Sequence, residues 1–353
     1  MFKQFTIQAP LSAIEAELQQ KIDGKTKPLG ALGELENIAF QLGRIQQTST
    51  PNVSNAKMVV FAADHGVVAQ GISLFPQEVT PQMVMNFLMG GAAVSVFCEQ
   101  HHVPLRVVDV GVNAELDEHP LLGDRKVAFA SKDFSQEAAM SAEQVAQSIQ
   151  AGVDEADLAI DDGANLLMFG EMGIGNTCVS SCMMTALIGV SATDSTGRGT
   201  GLDSAGVSHK AQIIEQSLCR AELATGQVMS EWSAQTLAEQ VGGFEILAMA
   251  GAMLQSAQRQ TAFVVDGFIC SVALLFAQKV VPNVREYAIF AHQSNEKAHK
   301  MLLSHLSAEP ILSLDLRLGE GSGAILAYPL IKSACIFLKN MASFESAGVS
   351  DSK

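Results

Sequence analysis

The chain is poor in the residues that mark several common protein classes. Its 353 residues include six cysteines, Cys98, Cys178, Cys182, Cys219, Cys270 and Cys335, scattered without paired zinc spacing. Cys178 and Cys182 share one face of a helix, yet no second pair or nearby histidine completes a tetrahedral site, so no metal is expected. The start carries no secretory n-region and h-region, so buried, reduced thiols in a cytoplasmic protein are expected. Ten prolines, 17% charged and 48% hydrophobic residues are the composition of a folded globular chain, not a disordered or collagen-like one. The longest apolar run, Phe263 to Ala277, contains Asp266 and falls short of the roughly 20 residues a bilayer requires, so no membrane partner is expected. Cations are also scarce. Lysine plus arginine number 22 against 37 acidic residues, a net charge of −15, which excludes nucleic-acid binding through a bulk positive field. Any phosphate the protein binds must be met by local groups.

What is present reads as alternating strands and helices. Leu11, Ile14 and Leu18, then Leu32, Leu35, Ile38, Ala39 and Leu42, recur at helical spacing on either side of the turn-rich segment Lys25 to Gly30. At Ala56 the pattern changes to a continuous apolar run, Lys57 to Ala63, that ends in Asp64-His65-Gly66. The same succession of apolar run, polar or glycine-rich loop and helical stretch recurs at 105–110, 165–169, 262–265, 287–290 and 311–316. This predicts a doubly wound α/β fold, a mostly parallel sheet with helices on both faces. Ligands bind such sheets outside the carboxyl ends of the strands, where the unusual residues of this chain collect. The length, roughly twice the 150 or so residues of one typical domain, divides into an α/β core over 56–321 and a small helical domain formed by 1–55 and 322–353.

Three glycine-rich loops carry the candidate chemistry. Gly170-Glu171-Met172-Gly173-Ile174-Gly175-Asn176-Thr177 joins a strand to a helix, and its N–H groups and helix N-terminus suit an anion; the alternative is a structural glycine turn in which Thr177 caps the helix. It lacks the Gly-Lys-Ser/Thr of a Walker loop. Gly197 to Asp203 precedes a helical segment containing His209 and Lys210, and reads equally well as a solvated surface connection. In Arg317-Leu318-Gly319-Glu320-Gly321-Ser322-Gly323 a carboxylate stands between two glycines, and partial burial would raise the pKa of Glu320 toward that of a general base. Glu171 supplies a second carboxylate for the same cleft. His65 reads as structural, because adjacent residues Asp64 and His65 on extended chain point to opposite faces. Asp109 and Asp266, each at the end of an apolar run, suit ribose hydroxyls or loop fixation. A Ser/His/Asp hydrolase is excluded by the absence of a Gly-x-Ser-x-Gly elbow, and a dinucleotide oxidoreductase by the absence of Gly-x-Gly-x-x-Gly in the first βα turn. A binding protein without turnover is disfavoured by the presence of Glu320.

Taken in order, Lys27-Pro28-Leu29-Gly30-Ala31-Leu32-Gly33, Ala63-Asp64-His65-Gly66-Val67, Asp109-Val110-Gly111, the Gly170–Thr177 loop, Val265-Asp266-Gly267-Phe268 and the Arg317–Gly323 loop resemble the nicotinate-nucleotide–dimethylbenzimidazole phosphoribosyltransferase family. The resemblance implies that nicotinate mononucleotide and 5,6-dimethylbenzimidazole give α-ribazole 5′-phosphate and nicotinate, without metal or redox cofactor and in a homodimer. It implies Glu320 as the catalytic glutamate and Glu171 as a second one. It further implies that Gly173, Asn176, Thr177, Gly199, Lys210, Asp266 and Ser294 surround the ribose phosphate, and Phe75, Met83 and Leu318 the incoming base. Phe75 and Met83 stand where well-known members of that family have serine and glutamine, so a base pocket that works by shape and stacking is expected.

Overall fold

The computed structural model describes residues 2–350. Six strands, β1 (Ala56–Ala63), β2 (Leu105–Gly111), β3 (Leu122–Asp124), β4 (Leu166–Met172), β5 (Ala262–Val265) and β6 (Ala288–Phe290), form one sheet in the order β3-β2-β1-β4-β5-β6. Every neighbouring pair is parallel. The expected doubly wound α/β fold is therefore the observed one. Its strands are continuous apolar runs because helices cover both faces. Phe61, Phe169 and Phe263, on the adjacent strands β1, β4 and β5, form a buried aromatic row with ring centroids 6.4 and 6.0 Å apart.

The direction of winding reverses between β1 and β4, which places a crevice at the carboxyl ends of those two strands. Helices Ala142–Asp161 and Phe244–Gln258 pack together over one face. They approach closely because Gly152 and Gly251 lie against the Ala248 and Ile149 carbonyls, where a side chain would collide.

One sequence expectation about the sheet is corrected, and one strand goes unannounced. The run 311–316 is extended but is not a strand. Only Leu312 bridges to His292, and Asp315 has φ +54°, a left-handed conformation that ends any ladder. The unannounced strand is β3 at one edge of the sheet, whose three residues with Gly123 at the centre leave no hydrophobic pattern to read. A second correction concerns the thiols: five cysteines are buried as expected, but Cys219 is exposed.

The chain ends meet. Thr26 N–H donates to Ala342 O (3.0 Å), Phe344 N–H to Gly24 O (3.1 Å), and the Lys25 ammonium to Met341 O (2.6 Å). The helix Ser322–Asn340 packs on the helix Glu34–Gln46. At 19 residues and mean hydropathy 1.3 it is long and apolar enough to cross a membrane, but more than half of it is buried inside the protein.

Candidate active site

Glu171 lies near the end of β4, on the strand that borders the crevice. It is buried, the Asn176 side-chain amide donates to its Oε2, and Glu320 N–H donates to its Oε1 (3.3 Å). Burial, followed by the charges of Asp266 and Glu245, pushes its pKa well above the ordinary carboxylate range. Glu320 arrives from a different part of the chain. Gly319, Glu320 and Gly321 have φ of +81°, +66° and +90°, three consecutive left-handed residues, a conformation that is costly for the glutamate between them. The glycines therefore give this loop the backbone freedom its sequence suggests. The turn lies directly on β4, because Gly170 has no side chain and a methyl group there would overlap the Glu320 carbonyl oxygen.

Glu320 is itself buried, and its Oε2 has no hydrogen-bond partner. Burial pushes its pKa up to about 7, opposed by the Val94 N–H and reinforced by the Asp266 charge. Asp266, just after β5, anchors the loop by accepting the Ala324 N–H (2.8 Å) at the start of the helix Ser322–Asn340. Its pKa is raised by burial, against the counteracting His292 and backbone N–H groups. Asp266 thus holds the loop that presents Glu320.

A second group of predicted residues meets beside the first. The helix Asn176–Ile188 begins at Gly175, φ +95°, with no side-chain cap. Thr177 is not a cap: its hydroxyl accepts from the Lys210 ammonium at 2.7 Å. Lys210 is fully buried, and burial lowers its pKa. Gly199 packs against both the Thr177 hydroxyl and Lys210 Nζ. An ammonium, a hydroxyl, a glycine loop and a helix N-terminus so converge on one spot. Ser294 is fixed next to the neighbouring cleft: its N–H donates to His299 Nδ1 (2.8 Å), and its hydroxyl accepts from Glu296 N–H (3.2 Å). Burial, then His292, drives the His299 pKa down to about 3, so the ring is neutral and Nδ1 accepts. Gly173 packs against the Ala63 carbonyl at the end of β1, which gives this glycine a packing reason.

The three residues expected at the incoming base are the loosest of the set. Phe75 and Leu318 are more than half exposed, and Met83 is half-buried on the helix Val79–Leu88. The Phe75 loop is tied to the second glycine loop by a Ser73–Thr200 hydroxyl contact of 3.1 Å.

A family model described as Phosphoribosyltransferase (DBI_PRT) matches residues 7–349. The chain is 48% identical over 347 residues to the nicotinate-nucleotide–dimethylbenzimidazole phosphoribosyltransferase of Aromatoleum aromaticum, covering 98% of this chain and 99% of the relative. It is 44% identical over 345 residues to the enzyme so named from Photobacterium profundum, with 98% and 99% covered. A crystal structure of nicotinate-nucleotide–dimethylbenzimidazole phosphoribosyltransferase from Thermus thermophilus superposes with TM-score 0.91 at 39% identity, over 97% of this chain and 99% of that one. This chain belongs to the nicotinate-nucleotide–dimethylbenzimidazole phosphoribosyltransferase family. It is an enzyme, a phosphoribosyltransferase of the pentosyl-transferring kind.

In this family member a buried layer that the sequence pattern does not announce lies beneath the crevice. His65 Nε2 meets Glu245 Oε1 at 3.0 Å, with both side chains fully buried. Burial lowers the His65 pKa, but Glu245 and Asp64 outweigh it and raise the pKa overall. The partner of His65, Glu245, 180 positions away, leaves no sequence signal except the Gly242-Gly243 pair before it; Gly243 packs on the His65 ring. Asp64 is held separately by Asn113 N–H (2.9 Å). Asp109 fixes its own loop, accepting from Gly111 and Val112 N–H and pairing with Lys126 at 2.7 Å.

Proposed function

We propose that this enzyme transfers the 5-phosphoribosyl group of nicotinate mononucleotide to 5,6-dimethylbenzimidazole or a related base, releasing nicotinate and forming α-ribazole 5′-phosphate. The observation that carries the reading is Glu320: a buried carboxylate with one unpartnered oxygen and a pKa raised to about 7, on a loop in a costly conformation. That is the state a general base needs near neutral pH. The unprotonated azole nitrogen attacks C1′ on the face opposite nicotinate, and configuration inverts from β to α. The C1′–N bond to the pyridinium breaks with its electron pair returning to the ring, and the other azole nitrogen loses its proton to Glu320. No metal or redox cofactor is required, since the leaving group already carries positive charge. Glu171, which accepts the Glu320 N–H, positions that loop and shares its proton environment. Lys210, Thr177, Gly199, Gly173, Asn176 and Ser294 receive the ribose phosphate, and Asp266 fixes the catalytic loop. Phe75, Met83 and Leu318 meet the base.

The functional unit in this reading is a cytoplasmic homodimer. Leu330 and Ile336 on the helix Ser322–Asn340, exposed at 37% and 51%, supply apolar surface for a second copy. The function is tested by incubating the purified protein with nicotinate mononucleotide and dimethylbenzimidazole, following nicotinate by chromatography and assigning the anomer by NMR. Nicotinate release with an α-linked product is expected; a β-linked product or no release overturns the reading.

A further inference from the structure

A cleft of about 690 Å³ is lined by residues of the second glycine loop, by Val207 and Ser208, by Asn295 to Lys297 and by Arg317. Glu296 reaches into it. Its Oε2 lies against Gly197, in the space a side chain there would take, and burial raises its pKa against the opposing Lys210 charge and Gly199 N–H. Gly199 is the residue that also packs on Lys210 Nζ and the Thr177 hydroxyl. The Glu296 backbone is fixed on both sides, its N–H donating to Ser294 Oγ (3.2 Å) and its carbonyl accepting His299 N–H (3.0 Å). Asn295 N–H in turn donates to Leu316 O (2.8 Å) in the segment leading to Glu320. Lys210 has a single side-chain hydrogen bond among the described residues, to Thr177, so two of its three ammonium protons remain to be used. The glycine loop and the buried ammonium suited to an oxyanion thus already have a carboxylate of the protein beside them.

We infer that Glu296 is an internal stand-in for the substrate phosphate: its carboxylate stands against the Gly197–Gly199 loop beside Lys210, and a phosphomonoester must displace it to bind. This rests on the phosphate site assigned under the proposed function. A dianionic phosphate with three acceptor oxygens outcompetes a single carboxylate, whereas an unphosphorylated ribonucleoside has nothing with which to displace it. Glu296 is therefore a specificity-determining residue that keeps the cradle closed to weak anions. The affinity measured for phosphate is the intrinsic one divided among the open and self-occupied states.

The test is calorimetric titration of inorganic phosphate into wild type, Glu296→Gln and Glu296→Asp, with the KM for nicotinate mononucleotide measured in parallel. Aspartate keeps the charge but is one methylene too short to reach the loop. Both variants are expected to bind phosphate about tenfold more tightly than wild type, with KM falling in proportion. If aspartate behaves as wild type while glutamine gains, the effect is through-space repulsion and the inference is overturned. Unchanged or weaker phosphate binding in both variants also overturns it. The two readings fail separately: tighter phosphate binding in both variants without nicotinate release sinks the proposed reaction alone, and nicotinate release with unmoved phosphate affinity sinks the stand-in alone.

Discussion

Glu320 is held in a state that costs the fold stability. Its folded pKa is about 7 against an ordinary 4.5, so the folded protein binds this proton more tightly than the unfolded chain. Its contribution to stability is whole below about pH 4.5 and is lost as pH rises through 7, a cost of roughly 3 kcal/mol in alkaline buffer. Glu320→Gln, which carries no charge to bury, should therefore melt a few °C above wild type at pH 8, and the gap should close at pH 5; differential scanning calorimetry at the two pH values checks this. In the proposed mechanism the same titration sets the rate. A base acts when unprotonated, so the rate of nicotinate release should climb about tenfold per pH unit below pH 7 and level off above it. Lys210 makes a different prediction. Replacing it with methionine keeps the buried stem but removes the ammonium, which should raise the KM for nicotinate mononucleotide at least about tenfold in steady-state kinetics. At Phe75 and Met83, apolar side chains replace polar ones, so dimethylbenzimidazole and benzimidazole should be turned over at comparable rates in a panel with adenine and a phenol. A sharp preference for adenine would contradict that reading.

At the scale of elements, the site depends on how closely the Gly319–Gly321 turn lies on β4. Gly170→Ala puts a methyl group where the Glu320 carbonyl oxygen sits, so kcat for nicotinate release should fall about a hundredfold or more while phosphate binding at Lys210 persists. Phosphate titration of the variant separates this displacement from global unfolding. Much of this arrangement is legible in the sequence. Five of the six strands announce themselves as apolar runs ending in glycine or acidic residues, and the glycines around Glu320 signal a backbone conformation that other residues avoid. What is not legible is what depends on neighbours distant in the chain. The His65–Glu245 pair joins β1 to a helix 180 positions on, β3 is too short to show a pattern, and Leu316, Ser313 and their neighbours alternate like a strand although Asp315 turns the backbone away. Glu296 carries no signal in the sequence, and only the folding of its loop against Gly197 brings it to the second glycine loop.

For the whole molecule, the net charge of −15 means that the proposed substrate, an anionic mononucleotide, would enter against the protein's own field. In the proposed reading its phosphate is held by Lys210, the glycine-loop N–H groups and a helix end. The chain ends, hydrogen-bonded through Lys25, Thr26 and Ala342, meet at the far end of the helix that follows Glu320. We propose that 1–55 and 322–353 act as one small helical unit, and that a second copy docks on Leu330 and Ile336. Sedimentation should give twice the chain mass, and Ile336→Glu should shift it to one chain. The measurement that reaches the central claim most directly is nicotinate release from nicotinate mononucleotide plus dimethylbenzimidazole by wild type and by Glu320→Gln at pH 8. The account predicts turnover by wild type and a loss of about a hundred- to ten-thousandfold in the variant, with the melting temperature unchanged or raised. Full rate in the variant, or an inert wild type, contradicts it.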